Sequence, residues 1–231
     1  MNITWFSREE LIHIIPTKII PVNSVLDVGP GIQPQTLIHP LIHILAEPYL
    51  PYIKKIQSTQ GRYPQFVYLN STWDRVLPCF PDKSIDTIFA IDVIEHFTKE
   101  DGIKFIAEAE RVALKQIVIF TPLGWYPQTY EKDTTDRWGM DGGHWQAHHS
   151  GWEPSDFPGG WDHYCCKEYH IIDQHDQPLE QPFGAFWAIR TFNDPVVEFD
   201  PLGLLSTYSS ARILGYLSKR VLKKIQKILV K

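Results

Sequence analysis

Through the first 120 positions, apolar residues fall in short runs broken by Gly, Pro and charged residues. Val25, Leu26 and Val28, then Ile42 to Ala46, Phe66 to Leu69, the Asp82 to Ile91 region and Gln116 to Phe120 are such runs. Their length and β-branched content predict buried strands. Between them the spacing lengthens to helical. Ser7 with Glu10 makes a capping-box pattern before Leu11, Ile12 and Ile15, and so predicts a helix over Ser7 to Ile15. Further helices are expected at Gln33 to His39, a short one closed by Pro40, at Pro48 to Gln57 and at Glu100 to Ala113. Strands alternating with helices imply a parallel sheet with right-handed crossovers.

Composition narrows the class. The chain has 231 residues, 43% apolar and 21% charged, enough for one good core and too little to make a second domain the natural expectation. A net charge of −5 gives no general pull toward nucleic acid or anionic membrane. Three cysteines, two of them adjacent at Cys165 and Cys166, make no disulfide framework, so a reducing, cytoplasmic setting is expected. Met1 to Ile15 carries Arg8, Glu9 and Glu10 and does not read as a signal peptide; no run approaches a membrane span.

The chemistry centres on Ser24 to Gly31, Ser-Val-Leu-Asp-Val-Gly-Pro-Gly. A strand breaks there into a loop whose two glycines can take positive φ and admit a ligand close to the backbone. Glu47 ends the second strand 20 residues after Asp27, where a carboxylate meets ribose hydroxyls in doubly wound folds. Pro34 stands where a dinucleotide loop has its third glycine, which argues against NAD. Asp92 ends the fourth strand, and Glu95 and His96 follow at once.

Val-Leu-Asp-Val-Gly-Pro-Gly, the acid at Glu47 and Asp-Val-Ile-Glu-His-Phe, in that order and spacing, resemble successive motifs of the class I S-adenosylmethionine-dependent methyltransferases, in their small-molecule, type 11-like branch. The resemblance covers about Val22 to Phe120, with a weaker tail to Arg190. It implies an α/β fold: a doubly wound, Rossmann-like, mostly parallel seven-stranded sheet with an antiparallel C-terminal hairpin, here Tyr164 to Ile172 and Phe183 to Phe192. It also implies S-adenosyl-L-methionine as cofactor. Asp27, Gly29 and Gly31 are then expected at its amino-acid end, Glu47 at the ribose, Asn70 near the adenine and Asp92 beside the sulfonium. His96 is expected to orient its loop. Trp5 and Phe6, beside the lead-in helix, are expected to pack it on the domain rather than to touch ligand.

Gly124 to Trp161 is an insertion the fold does not require. Five tryptophans argue against disorder, and the segment is read as a substrate lid within a domain spanning 1–200. Its Gln-Ala-His-His-Ser-Gly-Trp stretch, Gln146 to Trp152, is similar to one in some bacterial members of the superfamily. Ser150 with Glu153 reads as a helix cap. His148, or His144, is the candidate general base for an acceptor hydroxyl, set against a merely structural role in the lid. His144 and His148 are one helical turn apart, near Asp141, His149, Asp162 and His163. The glycines around them spoil a regular helix, and no metal is expected.

Residues 201–231 form a separate tail. Ser206 to Lys231 holds seven basic residues and no acid, with Ile213, Leu214, Leu217, Val221, Ile225 and Ile228 at helical spacing. This predicts a basic amphipathic helix that docks on its own domain, on a second copy as a homodimer, or on an anionic membrane. The expected activity is methyl transfer to a small-molecule or glycan- or lipid-linked acceptor, with no nucleic-acid partner, since the acidic lid would repel phosphate. The alternatives are a catalytically silent cofactor-binding scaffold and an NAD-dependent oxidoreductase.

Overall fold

The structure, a computed structural model, describes residues 2–60, 64–130, 135–173 and 177–192. The basic segment from Ser206, with its expected partners, lies outside the described residues, as does Asp133. In chain order the elements are β1 (Asn2–Trp5), α1 (Arg8–Ile14), β2 (Ser24–Val28), β3 (Ile42–Ala46), α2 (Leu50–Thr59), β4 (Phe66–Leu69), α3 (Trp73–Val76), β5 (Ile85–Ile91), α4 (Lys99–Val112), β6 (Ala113–Pro122), α5 (Gly143–Gln146), β7 (Asp162–Ile172) and β8 (Pro178–Thr191).

One sheet holds all eight strands in the order β1-β7-β8-β6-β5-β2-β3-β4. Strands β2 to β6 are mutually parallel, and β8 runs antiparallel to both β6 and β7. The doubly wound sheet and its C-terminal hairpin are therefore present. The eighth strand is an addition to the seven expected: Asn2–Trp5 pairs in parallel with β7, and the Asn2 amide donates to Asp162 Oδ1 at 2.7 Å. Trp5 stands half exposed on that outer edge.

Two apolar clusters fill the two faces. Leu26, Ile88, Ile117 and Phe105 lie in one; Val25, Phe89, Val118 and Leu11 lie in the other. Successive strand residues point to opposite faces, so neighbours in sequence separate. Cys165 and Cys166 show this on β7: both are buried, one in each cluster, while Cys79 is exposed.

Helix α1 starts as its sequence predicts, with the Ser7–Glu10 capping box formed in both directions. The expected helix over Gln33 to His39 does not form. The Gln35 side chain instead bridges both polar backbone groups of Ile38, and the Gln35 N–H goes to Asp27 Oδ2 at 2.8 Å. Those local bonds occupy the groups a helix would have paired.

The insertion also departs from expectation. Trp152 and Trp161 are fully buried and pack with Phe157 and Phe186 in the main core, so these two are wedges that seat the segment. Trp152 Nε1 donates to Ile94 O at 3.2 Å and to Ser150 Oγ at 2.9 Å, and the Ser150 hydroxyl also reaches Ile94 O. Ser150 is thus an anchor and not a helix cap; the capping box is formed by Glu153 with Asp156. The indole lies against Gly102 of α4, where a Cβ would fall 2.2 Å from Trp152 Cζ2. Lys99 Nζ sits 3.9 Å above the same ring. Of the five tryptophans, Trp138 and Trp145 line cavities.

Candidate active site

In an open parallel sheet the binding crevice forms beyond the carboxyl ends of strands that diverge to either side. Here β2 lies between β3 and β5, and two cavities of about 500 and 620 Å³ open over the strand ends. They share Gly29, Asp92, His96 and Gln146, and so form one trough. The larger runs toward Glu47, Thr72, Trp73 and Phe97; the other runs under the insertion toward Tyr126, Tyr130 and Arg137.

Backbone conformation brings the trough's floor close to any occupant. Gly29 has φ 60° and Gly31 φ 57°, the left-handed region that favours glycine. A Cβ on Gly29 would meet Val93 at 3.0 Å. Asp92 is held at φ 51° although it has a side chain, a conformation that costs about 1–3 kcal/mol and clusters at functional sites.

The predicted residues are distributed as follows. Asp27 is buried, accepts the Gln35 N–H and lies 3.3 Å from His43 Nε2, at the edge of the smaller cavity. Gly31 is roofed by Trp138, whose six-membered ring would lie 2.4 Å from a Cβ there. Glu47 is buried; its Oε2 accepts the Gly31 N–H at 3.0 Å and its Oε1 the Tyr49 N–H at 2.8 Å. Each oxygen keeps a second lone pair for a ligand hydroxyl. Burial outweighs those two bonds and pushes the Glu47 carboxyl up to about 7, with Asp27 adding to the rise. Asn70 lines neither cavity. Its amide donates to Glu47 O at 3.0 Å and Pro48 O at 2.8 Å, so it braces the chain beside the Glu47 carboxylate.

The two histidines proposed from sequence do not face each other. His144 lines the larger cavity beside Tyr49, whereas His148 lines the smaller one. His148 instead meets His96, with ring centroids 5.0 Å apart. His148 Nδ1 lies 2.6 Å from Tyr126 O and His96 Nδ1 3.1 Å from Ala147 O. A carbonyl only accepts, so both neutral rings carry their proton on Nδ1; His148 is left with Nε2 as an acceptor, while the His96 ring also lies near the Asp92 backbone. Desolvation lowers His148, and desolvation together with His148 brings His96 down to about 3. Glu95 completes the group: it is 2% exposed, its Oε2 accepts from Thr121 at 2.9 Å, and its Oε1 is buried without a partner. Desolvation raises Glu95, and the neighbouring Asp92 raises it further. Asp92 is wetted by the cavity yet otherwise enclosed by protein, which raises it too, with Arg137 opposing.

Sequence reasoning named Glu95 beside Asp92 without giving it a role, and it missed Arg137 and His170. The available signal was the Asp92, Glu95, His96 cluster at a strand end, three polar groups in five residues of otherwise apolar chain.

The insertion is fixed over the trough by Asp136. Its carboxylate receives the Tyr52 hydroxyl and the backbone N–H groups of Trp138 and Met140, the latter two at 2.9 Å each. Among the described residues no helix is long and apolar enough to cross a membrane.

A methyltransferase-domain family model matches residues 26–119. Solved structures share the fold at low identity. A candidate methyltransferase from Bacillus halodurans C-125 aligns at TM-score 0.52 and 14% identity, covering 78% of this chain and 97% of its own. A SAM-dependent methyltransferase from Leishmania major aligns at 0.52 and 10%, covering 78% and 70%. The DhpI–SAH complex aligns at 0.51 and 9%, covering 80% and 84%. No curated protein matches the chain significantly.

Proposed function

We propose that the chain is a class I S-adenosylmethionine-dependent methyltransferase and that it methylates a hydroxyl oxygen of a small-molecule acceptor, free or carried on a glycan or lipid. The observation that carries the choice of oxygen is His148, tied at Nδ1 to the Tyr126 carbonyl so that Nε2 is left to accept, beside His96 in the cavity that joins the larger one at Asp92.

The residues fit the cofactor. The larger cavity offers Glu47 for ribose hydroxyls and Trp73 and Phe97 for a flat base. The Gly29 backbone and the Asp27 carboxylate, at the junction side, suit a charged amino-acid end. When bound, S-adenosylmethionine supplies an electrophilic methyl carbon on a cationic sulfur. Asp92 places negative charge at the junction, which complements that cation. Tyr126, Tyr130 and Trp138 exclude water from the smaller cavity and position the acceptor. His148 and His96 accept a hydrogen bond from the acceptor hydroxyl and orient its lone pair.

Isothermal titration with S-adenosylmethionine, then a methyl-release assay over matched alcohols, phenols, amines and carbon acids, tests this. Turnover confined to oxygen acceptors is the expected result. Tight cofactor binding with no turnover on any acceptor favours a silent binder, and turnover on amines alone refutes the oxygen assignment.

A further inference from the structure

Glu95, His96 and His148 have a chemistry that hydrogen bonding to a substrate does not exhaust. Their potential ligand atoms all lie within 4.8 Å of one another. Each histidine has its Nδ1 tied to a backbone carbonyl, which fixes the ring and directs the Nε2 lone pair away from that carbonyl. That arrangement, ring nitrogen outward and the other nitrogen anchored to an acceptor, is how metal-binding histidines are oriented. Glu95 is likewise half anchored: Thr121 holds Oε2, and Oε1 is left buried without a donor. A buried carboxyl oxygen lacking a partner costs about 1–3 kcal/mol, and a cation beside it would offset that cost. Asp92 lines the same cavity and adds a second carboxylate.

We propose that Glu95, His96 and His148 bind a divalent first-row metal ion whose open positions face the smaller cavity. Two imidazoles and a carboxylate suit Zn²⁺, Mn²⁺, Co²⁺ or Fe²⁺ and leave room for exogenous oxygen ligands. Around an ion with bonds of about 2.1 Å, three ligand atoms stand about 3–3.6 Å from one another, so side-chain rotations that move the ligand atoms by up to about an ångström close the group. The charges of Glu95 and Asp92 together balance the ion, which allows it to sit beside a cationic sulfonium.

The consequence for substrate rests on the oxygen-acceptor reading above. The acceptor oxygen becomes a metal ligand, and the ion lowers its pKa so that its proton leaves to bulk water. The oxygen lone pair then forms the O–CH₃ bond while the C–S bond breaks, and its electron pair stays on sulfur. No group is oxidised or reduced. With the ion present the two imidazoles are ligands and not bases, and an acceptor with two adjacent hydroxyls gains a second bond to the ion.

The test uses the full chain, stripped with chelator and titrated with Co²⁺. Visible d–d absorption saturating at one ion per chain, with Zn²⁺ displacing it, is expected. His148→Ala and Glu95→Gln lower Co²⁺ affinity at least 100-fold, and exposed His13→Ala leaves it unchanged. Circular dichroism and S-adenosylmethionine titration of each variant separate loss of ligand from loss of fold. Should either ligand variant unfold, His148→Gln and Glu95→Asp stand in under the same criterion. Absence of a saturable site in the folded wild type, or affinity indifferent to these changes, overturns the proposal. Such a failure leaves cofactor binding intact, whereas failure of the methyltransferase reading shows as loss of S-adenosylmethionine binding with Co²⁺ binding retained.

Discussion

Replacing Gly102 with alanine separates two physical effects of opposite sign. In the interior of α4, Gly→Ala should stabilise the helix by about 1 kcal/mol. The new Cβ, however, would lie 2.2 Å from Trp152 Cζ2 and 2.8 Å from Cη2, against a carbon contact of about 3.5–4.0 Å. The indole must therefore retreat by more than about 1 Å. Overpacking of that kind costs about 1–3 kcal/mol. Retreat also strips Nε1 of Ile94 O and Ser150 Oγ, and an unpaired buried donor costs about 1–3 kcal/mol more. After subtracting the helix gain, Gly102→Ala should destabilise the domain by about 1–5 kcal/mol, centred near 3. Urea denaturation of wild type and variant measures it. A double-mutant cycle with Trp152→Phe, which removes the offending ring atoms, should return a coupling energy of about 1 kcal/mol or more in favour of the double variant. A Gly102→Ala variant as stable as the wild type, or an additive cycle, would refute the reasoning.

Glu47→Gln should flatten the pH dependence of stability. The raised folded pKa makes this residue's contribution fully present below about 4.5 and lost as pH rises to about 7, a difference of about 3 kcal/mol. Denaturation at pH 5 and pH 8 should show a smaller drop in the glutamine variant, and equal drops would reject the assignment. Gly31→Ala forces a left-handed residue against Trp138, so a loss of about 1–3 kcal/mol is expected; Trp138→Ala in the same chain should recover the steric part and leave about 1 kcal/mol. Asp136→Ala removes the acceptor shared by Tyr52, Trp138 and Met140, and limited trypsin digestion should then cut after Arg137 at least tenfold faster than in wild type.

The central strands were legible because an apolar run ended by Gly, Pro or an acid has few other readings. Local chemistry was legible too: the Ser7–Glu10 cap is contained within four residues. What escaped depended on distant partners. The strand Asn2–Trp5 is exposed along its length and exists only because β7 offers an edge. The bridge from Gln35 to Ile38 displaced a helix that spacing alone favoured. Aromatic content marked the insertion as ordered but could not say which rings point inward, so Trp152 and Trp161 read as lid and proved to be core. The site divided in the same way. Gly29, Glu47 and Asp92 end strands that the sheet gathers at one edge, so their common location follows from topology. The meeting of His96 with His148 required the return of a long segment onto Ile94, for which no periodicity exists.

The placement of the three thiols makes the molecule its own reporter. A maleimide dye added to the native protein should couple once, at Cys79. Labels two and three can be attached only when the sheet parts and both of its faces are wetted, because Cys165 and Cys166 are sealed on opposite sides of one strand. Intact-mass spectra taken over time would then count opened molecules directly, and an intermediate carrying two labels would reveal that one side of the sheet loosens before the other.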